Sequence, residues 1–267
     1  MILSDYHIHS KFSGDSKEDL DAIVEKSIEL GLEEIAITDH HDLGSPQEPL
    51  GFILDIEKYF QKIKEIKEKY RKKIDIKIGI ELGIQPHIYK ESKELIESKE
   101  WDFVLCSLHT VEGFDVSLPD YFVGKNKKEA QNRYFQDVLD STKNFREYSV
   151  MSHLDFISRN GGEKFKGFKY SEHYEIIDEI LKTIIEKNRG IEINTSGFRY
   201  GENRTYPDFE IVKRYFQLGG EIVTIGSDSH KKEDIGKDFK KVYDFLESIN
   251  VKYISSFNMR ENSFKKI

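Results

Sequence analysis

The sequence predicts an α/β protein, a parallel sheet with helices packed outside it. Three observations carry that expectation: seven short β-type runs, amphipathic stretches of helical period between them, and a strand, helix, strand order that repeats along the chain. With right-handed crossovers such units build either an open doubly wound sheet or a closed barrel, and periodicity alone does not choose between the two.

The first strand reads Leu3 to Ile8, and the helix after it, Ser16 to Leu30, opens on Ser16 with Asp19 three residues on and stops before Gly31. A second strand, Glu34 to Thr38, leads to the clearest helix, Asp55 to Arg71, where Ile56, Tyr59, Phe60, Ile63, Ile66 and Tyr70 recur at spacings of three and four. The Lys/Glu run from Glu57 to Lys73 is its solvated face. Strands at Lys77 to Leu82 and Asp102 to Ser107 flank a helix at Tyr89 to Glu97. A long helix, Lys127 to Phe145, precedes the fifth strand, Ser149 to His153. The helix Ser171 to Asn188 ends before Gly190, where the sixth strand, Gly190 to Asn194, begins. Helices at Asp208 to Leu218 and Asp238 to Ser248 bracket the seventh strand, Glu221 to Gly226. The tail from Lys252 to Ile267 adds one strand, Tyr253 to Phe257, and then frays.

No Pro-rich or Gly/Ser-rich linker divides the 267 residues, so one domain over 1–267 is expected, a length that single α/β barrels reach. Hydrophobic residues at 37% suffice for a sizeable core, and charged residues at 34%, of both signs, describe a soluble globular surface. Met1 to His9 lacks a basic and apolar leader, and no apolar run is long enough to span a bilayer. A cytoplasmic location without a membrane partner is therefore expected. The single cysteine, Cys106, lies in the apolar stretch Phe103-Val104-Leu105-Cys106, which rules out an internal disulfide and speaks against a thiolate metal site. A net charge of -8 disfavours indiscriminate nucleic-acid binding, and Lys and Arg are spread over helix faces, not strung along one loop. Oligomeric state stays open.

The nine histidines are distributed unevenly. His and carboxylate residues collect at the carboxyl ends of the strands: Asp5-Tyr6-His7-Ile8-His9, Thr38-Asp39-His40-His41, Gly79-Ile80-Glu81, Ser107-Leu108-His109, Ser152-His153-Leu154-Asp155, Asn194, and Gly226-Ser227-Asp228-Ser229-His230. That edge is where parallel α/β proteins build active sites. An H-x-H pair in a strand puts both imidazoles on one face, because side chains alternate with period two. Imidazole and carboxylate without thiolate suit Zn, Mn or Fe(II). His7, His9, Asp15, His40, Glu81, His109, His153, Asp228 and His230 are more ligands than one ion needs, so the cluster is expected to hold more than one, with Glu81 and Asp228 available as bridges.

The ordered series D-Y-H-I-H-S, Asp15 in F-S-G-D, T-D-H-H, G-I-E, S-L-H, S-H-L-D and G-S-D-S-H resembles the polymerase and histidinol phosphatase (PHP) family, and the chain is similar to its stand-alone histidinol-phosphatase branch. The resemblance implies a distorted (β/α)7 TIM-like barrel and three divalent ions. By position it puts His7, His9, Glu81 and Asp228 on one ion, Glu81, His109 and His153 on a second, and Asp15, His40 and His230 on a third. Many family members carry His where Asp15 stands; the acid resembles the histidinol-phosphatase subgroup. Asp39 and Asp155 are read as supports for ligating histidines or as structural groups.

Charge counting points to the substrate: three carboxylates and one hydroxide leave three divalent ions with a formal surplus of about +2, which a phosphate monoester dianion balances. Arg159 and Arg199, in loops at the same edge, are the expected phosphate-holding guanidinium groups, and Glu112 is the candidate partner of a substrate ammonium. The implied reaction is hydrolysis of L-histidinol phosphate to L-histidinol and phosphate in histidine biosynthesis. A metal-bridging hydroxide attacks phosphorus, and His41, with Asp228 as rival, is the candidate general acid for the leaving alkoxide. His87 and His173 are read as ordinary polar residues. The alternatives are a nuclease or nucleotide phosphoesterase, and a degenerate, non-catalytic binding module.

Overall fold

A computed structural model describes residues 3–267. In chain order the elements are β1 (Ser4–Ile8), α1 (Leu20–Glu29), β2 (Glu34–Ile37), β3 (His40–His41), α2 (Ile56–Tyr70), β4 (Asp75–Gly83), α3 (Tyr89–Glu97), β5 (Phe103–Ser107), β6 (Thr110–Val111), β7 (Phe114–Asp115) and α4 (Lys127–Asn144). They continue with β8 (Val150–Met151), α5 (Tyr174–Glu186), β9 (Gly190–Asn194), α6 (Ser196–Arg199), α7 (Phe209–Gln217), β10 (Val223–Gly226), α8 (Phe239–Ser248), β11 (Tyr253–Asn258) and β12 (Glu261–Lys266).

The parallel strands follow the order β1-β2-β4-β5-β8-β9-β10. β3 continues β2 in the same register on β4: Ile37 lies opposite Ile78, and His40 opposite Glu81. The ring returns on itself through a parallel bridge from Ile8 to Ser229, where His9 N donates to Ser229 O at 2.9 Å. Seven strands arranged this way form a nearly closed barrel, which decides between the two arrangements that the periodicity left open.

Period-two alternation then sorts the side chains. Ile76, Ile78 and Ile80 of β4 and Val104 and Cys106 of β5 join the large apolar shell under the helices, while Phe103, Leu105, Ala36 and Val150 form a separate cluster inside the barrel. β1 breaks the rule. Its pairing with β2 is irregular between Asp5 and Ile8, and the consecutive residues Tyr6 and His7 both reach the interior, Tyr6 against Phe103 and His7 against Glu81.

The fraying expected of the tail does not occur. β11 and β12 pair antiparallel from Tyr253 opposite Lys266 to Asn258 opposite Glu261, across a turn in which Met259 and Arg260 have φ 51° and 63°. Two-residue turns with both φ positive are usually marked by Asn-Gly or Asp-Gly, and Met-Arg carries no such mark. Phe257 from this hairpin joins the interior cluster, and its backbone N–H donates to the Tyr6 hydroxyl at 2.8 Å, so the hairpin floors the barrel at the amino ends of its strands.

Two helix starts differ from the sequence reading. α1 begins at Leu20 with Asp19 as its cap, because Ser16 lies in the preceding loop and its hydroxyl donates to His230 O at 3.1 Å. α5 begins at Tyr174 after a short turn. The α4 start rests on a reciprocal capping box between Asn126 and Glu129. Among the described residues no helix is long and apolar enough to cross a membrane.

Candidate metal centre

Eight of the nine expected ligands come from the carboxyl edge of the barrel: His7 and His9 from β1 and its exit, His40 from β3, Glu81 from β4, His109 after β5, His153 after β8, and Asp228 and His230 after β10. Asp15 reaches the edge from the loop between β1 and α1. They converge in overlapping groups: His7, His9 and Glu81; Glu81, His109 and His153; and His9, Asp15, His40 and His230, each offering ligand atoms within 4.8 Å of one another. Glu81 belongs to two groups, as a bridging carboxylate would. The Asp228 Oδ1 lies 3.7 Å from His7 Nε2 and 3.5 Å from His9 Nε2.

The donor atoms themselves test whether this cluster fits metal ions. Nε2 of His7, His9 and His230, Nδ1 of His40 and Oε2 of Glu81 are buried and make no well-aligned hydrogen bond, although carboxylate oxygens crowd the nitrogens at 3.1 Å, 3.4 Å, 2.8 Å and 3.0 Å respectively. A buried polar atom left unpaired costs about 1–3 kcal/mol, and five such atoms converging on one another are what coordinated cations satisfy. All are nitrogen or oxygen, and Cys106 faces the helices. The residues fit divalent ions.

Behind the ligands stand carboxylates that orient them. Glu192, wholly buried on β9, has Oε1 2.7 Å from His7 Nδ1, and its Oε2 accepts from His153 N at 2.9 Å. Asp42 Oδ2 lies 2.9 Å from His109 Nδ1. These contacts put the ring proton on Nδ1 and turn Nε2 toward the cluster. The sequence reading missed both, although Asp42 stands two residues past His40, just beyond β3, and Glu192 is the one charged residue of Gly190-Ile-Glu-Ile-Asn194. Gly226 on the neighbouring strand makes room for the arrangement: a Cβ there would collide with Glu192 Oε1 and His7 Cβ. Asp39 takes the supporting role expected of it, accepting from the Ser10 and Ser13 hydroxyls at 2.7 Å while Ser13 Oγ sits 3.1 Å from His9 Nδ1. Asp155 takes the structural role, the other reading given for it, accepting from Arg204 Nη1 at 2.5 Å and from Asp208 N at 3.1 Å and tying down a loop.

Electrostatics follow from this packing. Burial drives the His9 pKa down to about 3, with the His230 and His40 charges adding to it. Burial works the same way on His7, but Glu192 and Glu81 beside it overcome that and hold its pKa well above the ordinary value. Asp42 and Glu192 also correct the charge count: their two carboxylates cancel the formal surplus inferred from sequence, which leaves Arg159 as the cation in the cavity wall.

The remaining candidates divide. Arg159 lines a cavity of about 160 Å³ over the cluster, together with Phe52, Asp115, Phe156 and Asp228. Its guanidinium lies 4.3 Å from the Phe156 ring centroid and 4.0 Å from that of Tyr200. Arg199 does not line the cavity. It donates to Ser227 O at 2.7 Å and Asp228 O at 2.8 Å, holding the segment in which Asp228 adopts φ 55°. Glu112 is paired with Arg133 at 2.8 Å, away from the cavity. His41 is also outside, because consecutive strand residues face opposite ways: its Nδ1 accepts from Leu54 N at 3.3 Å, and burial lowers its pKa. His87 is exposed, and His173 is buried against Gln131 and Asn132, both remote from the cluster.

Comparison with known proteins accords with this geometry. The PHP domain family model matches residues 5–196. A histidinol-phosphatase of Lactococcus lactis is 37% identical over 227 residues, 85% of this chain and 83% of its own length. A Clostridium acetobutylicum protein named "Probable histidinol-phosphatase" is 35% identical over 253 residues, 94% of this chain and 95% of its own. Among solved structures, a histidinol phosphate phosphatase from Lactococcus lactis, crystallised with zinc, L-histidinol and phosphate, aligns over 98% of each chain at 32% identity with a TM-score of 0.89. A family match over most of the chain, with relatives this similar along nearly all of it, means that the chain belongs to the PHP domain family.

Proposed function

We propose that this chain is a metal-dependent phosphomonoesterase that hydrolyses L-histidinol phosphate to L-histidinol and phosphate, a step of histidine biosynthesis. The observation that carries the reading is the convergence of orphaned imidazole and carboxylate atoms beneath a small cavity walled by Arg159, in a chain that matches a histidinol phosphate phosphatase from end to end. Of four overlapping ligand groups, the three made only of expected ligands support three ions, the fourth being His40, Asp42 and His109; zinc is favoured over Mn or Fe(II) by the relative crystallised with it. His7, His9, Glu81 and Asp228 would hold one ion, Glu81, His109 and His153 a second, and Asp15, His40 and His230 a third. Divalent ions at these positions supply Lewis acidity toward phosphoryl oxygens and lower the pKa of coordinated water.

The chain's own residues do the rest. Arg159 has no carboxylate partner among the described residues, so its stacked guanidinium keeps its N–H fork for phosphate oxygens. Phe52 and Phe156 line the cavity as apolar walls for a flat ring. With Glu112 committed to Arg133, Asp115 is the wall carboxylate that faces a substrate ammonium. Since His41 lies outside the cavity, the proton for the leaving alkoxide comes from a cavity-lining group or from solvent.

The test measures bound metal, then phosphate release from histidinol phosphate, nucleoside monophosphates and a short single-stranded DNA. Histidinol phosphate should be preferred by at least about tenfold in kcat/KM, about 1.4 kcal/mol of transition-state binding. A smaller preference refutes the substrate assignment, and a metal-free, inactive protein refutes the enzyme.

A further inference from the structure

Arg159 reaches the metal cavity from a segment with little structure of its own. It ends a single 3-10 turn, Phe156–Arg159, that follows the ligand His153. Such a turn is held by few backbone bonds, here Phe156 N to His153 O at 2.8 Å and Ser158 N to Asp155 O at 3.1 Å. Beyond it the chain runs without helix or strand as far as Tyr170. The contacts that fix the turn come instead from the loop between α6 and α7.

That loop is a rigid support. Tyr206 N donates to Asn194 O at 2.9 Å and Asn194 N to Tyr206 O at 2.8 Å, which closes the loop on the end of β9. Gly197 lets the Arg204 backbone pass so closely that a Cβ there would lie 2.3 Å from Arg204 O. From this support the nearly buried Arg204 spreads its donors: Nη1 to Asp155 Oδ2 at 2.5 Å, Nη2 to the Ser158 hydroxyl, and Nε to Glu202 Oε2 at 3.1 Å. The Ser158 hydroxyl in turn donates to Asp155 O at 2.9 Å. One planar fork thus fixes the turn at the residue before it and at the residue next to Arg159. Tyr200, from the same loop, stacks on the Arg159 guanidinium at 4.0 Å. Arg204 is not itself free for phosphate, because Asp155 and Glu202 occupy it and it does not line the cavity.

We propose that Arg204 is a positioning residue for phosphate recognition: acting through Asp155 and Ser158, it holds the turn so that Arg159 is in place at the cavity before phosphate arrives. The assignment rests on Arg159 being the phosphate-holding group of the metal centre. A guanidinium held in advance spares the complex the cost of ordering a long side chain, so the role of Arg204 lies in affinity for phosphate and not in metal binding.

The test is a double-mutant cycle, read by calorimetric titration of the metal-loaded protein with inorganic phosphate. It compares wild type with Arg204→Gln, Ser158→Ala, Arg159→Gln and the combination of Arg159→Gln with Arg204→Gln. Arg204→Gln should weaken phosphate at least about fivefold, Ser158→Ala by a smaller factor, and Arg204→Gln added to Arg159→Gln by less than about twofold. Competition with a chromogenic chelator should show metal held within about twofold of wild type in Arg204→Gln and Ser158→Ala. Unchanged phosphate affinity in Arg204→Gln overturns the role. So does a larger loss in the Arg159→Gln background, since Arg204 would then not act through Arg159, and so does metal lost in step with phosphate. Should Arg204→Gln fail to fold, Ser158→Ala alone and combined with Arg159→Gln completes the same cycle. Wild type that binds no phosphate overturns the reading of the metal centre and the positioning role with it, whereas the other refuting results leave that reading standing.

Discussion

Replacing Glu192 with Gln tests how the ligands are held, because it alters charge and hydrogen-bonding capacity while keeping shape. Three groups face its two oxygens: His7 Nδ1 at 2.7 Å, His153 N at 2.9 Å and Asn194 Nδ2 at 3.2 Å. A carboxylate accepts from all three, whereas an amide has one oxygen and turns its NH2 against either the His7 ring proton or the His153 N–H. In a site without solvent that mismatch costs about 1–3 kcal/mol. Loss of the negative charge behind His7 also makes its Nε2 a poorer ligand, and changes of this kind typically cost about 10–100-fold in metal affinity, about 1.4–2.7 kcal/mol. Competition with a chromogenic chelator should therefore show metal held at least tenfold more weakly, and the melting temperature of the metal-loaded protein should fall. Metal affinity within threefold of wild type, with unchanged melting, would refute the reasoning that Glu192 orients and polarises His7.

Three other outcomes follow from the geometry. His41→Asn should reduce turnover of alkyl and aryl phosphates by the same modest factor, since His41 only accepts from Leu54 N; a loss confined to alkyl substrates would return it to the role of general acid. Arg159→Gln should raise the inhibition constant of inorganic phosphate about tenfold or more, whereas Arg199→Gln should lower kcat with little change in that constant, because Arg199 grips the Ser227 and Asp228 carbonyls; equal weakening in both variants contradicts this division. His173 is buried neutral with its pKa lowered from 6.5 by burial, so its contribution to stability is complete above pH 6.5 and is lost as pH falls below that value, when the unfolded chain gains the proton first. Urea unfolding at pH 7.5 and 5.5 should show wild type losing up to about 1 kcal/mol more than His173→Gln on acidification, and identical losses would mean that the ring does not titrate in this way.

The strand ends were legible because barrel strands buried on both faces read as short apolar runs, and the histidines that terminate them are rare enough to stand out. Barrel closure was not legible, since it rests on contacts such as Ser227 N to Asp5 Oδ1, 222 residues apart, to which no local period points. Ligands could be named from residue type and spacing, but their supports could not. A carboxylate in mid-strand, as at Glu192, reads the same whether it meets solvent or a buried imidazole. Arg159 and Arg199 looked equivalent as loop arginines, and only the turn around α6 separates a guanidinium that faces the cavity from one that grips backbone. The hairpin was missed for a local reason, its turn being formed by Met259 and Arg260 without Gly, Asn or Asp.

The hairpin that floors the barrel carries a consequence for how the molecule is made. The Tyr6 hydroxyl accepts from Phe257 N across 251 residues, and β1 meets the segment after β10 through His9 and Ser229. During synthesis the first strand therefore waits, with its histidines and its central tyrosine unpartnered, until almost the whole chain has left the ribosome. Contacts so distant in sequence make closure slow relative to helix formation. A product cut short before residue 253 would lack the floor, and one cut short before residue 228 would also lack Asp228 and His230. Metal retention after synthesis thus reports whether translation ran past β10, and stability of the loaded protein reports whether the hairpin followed.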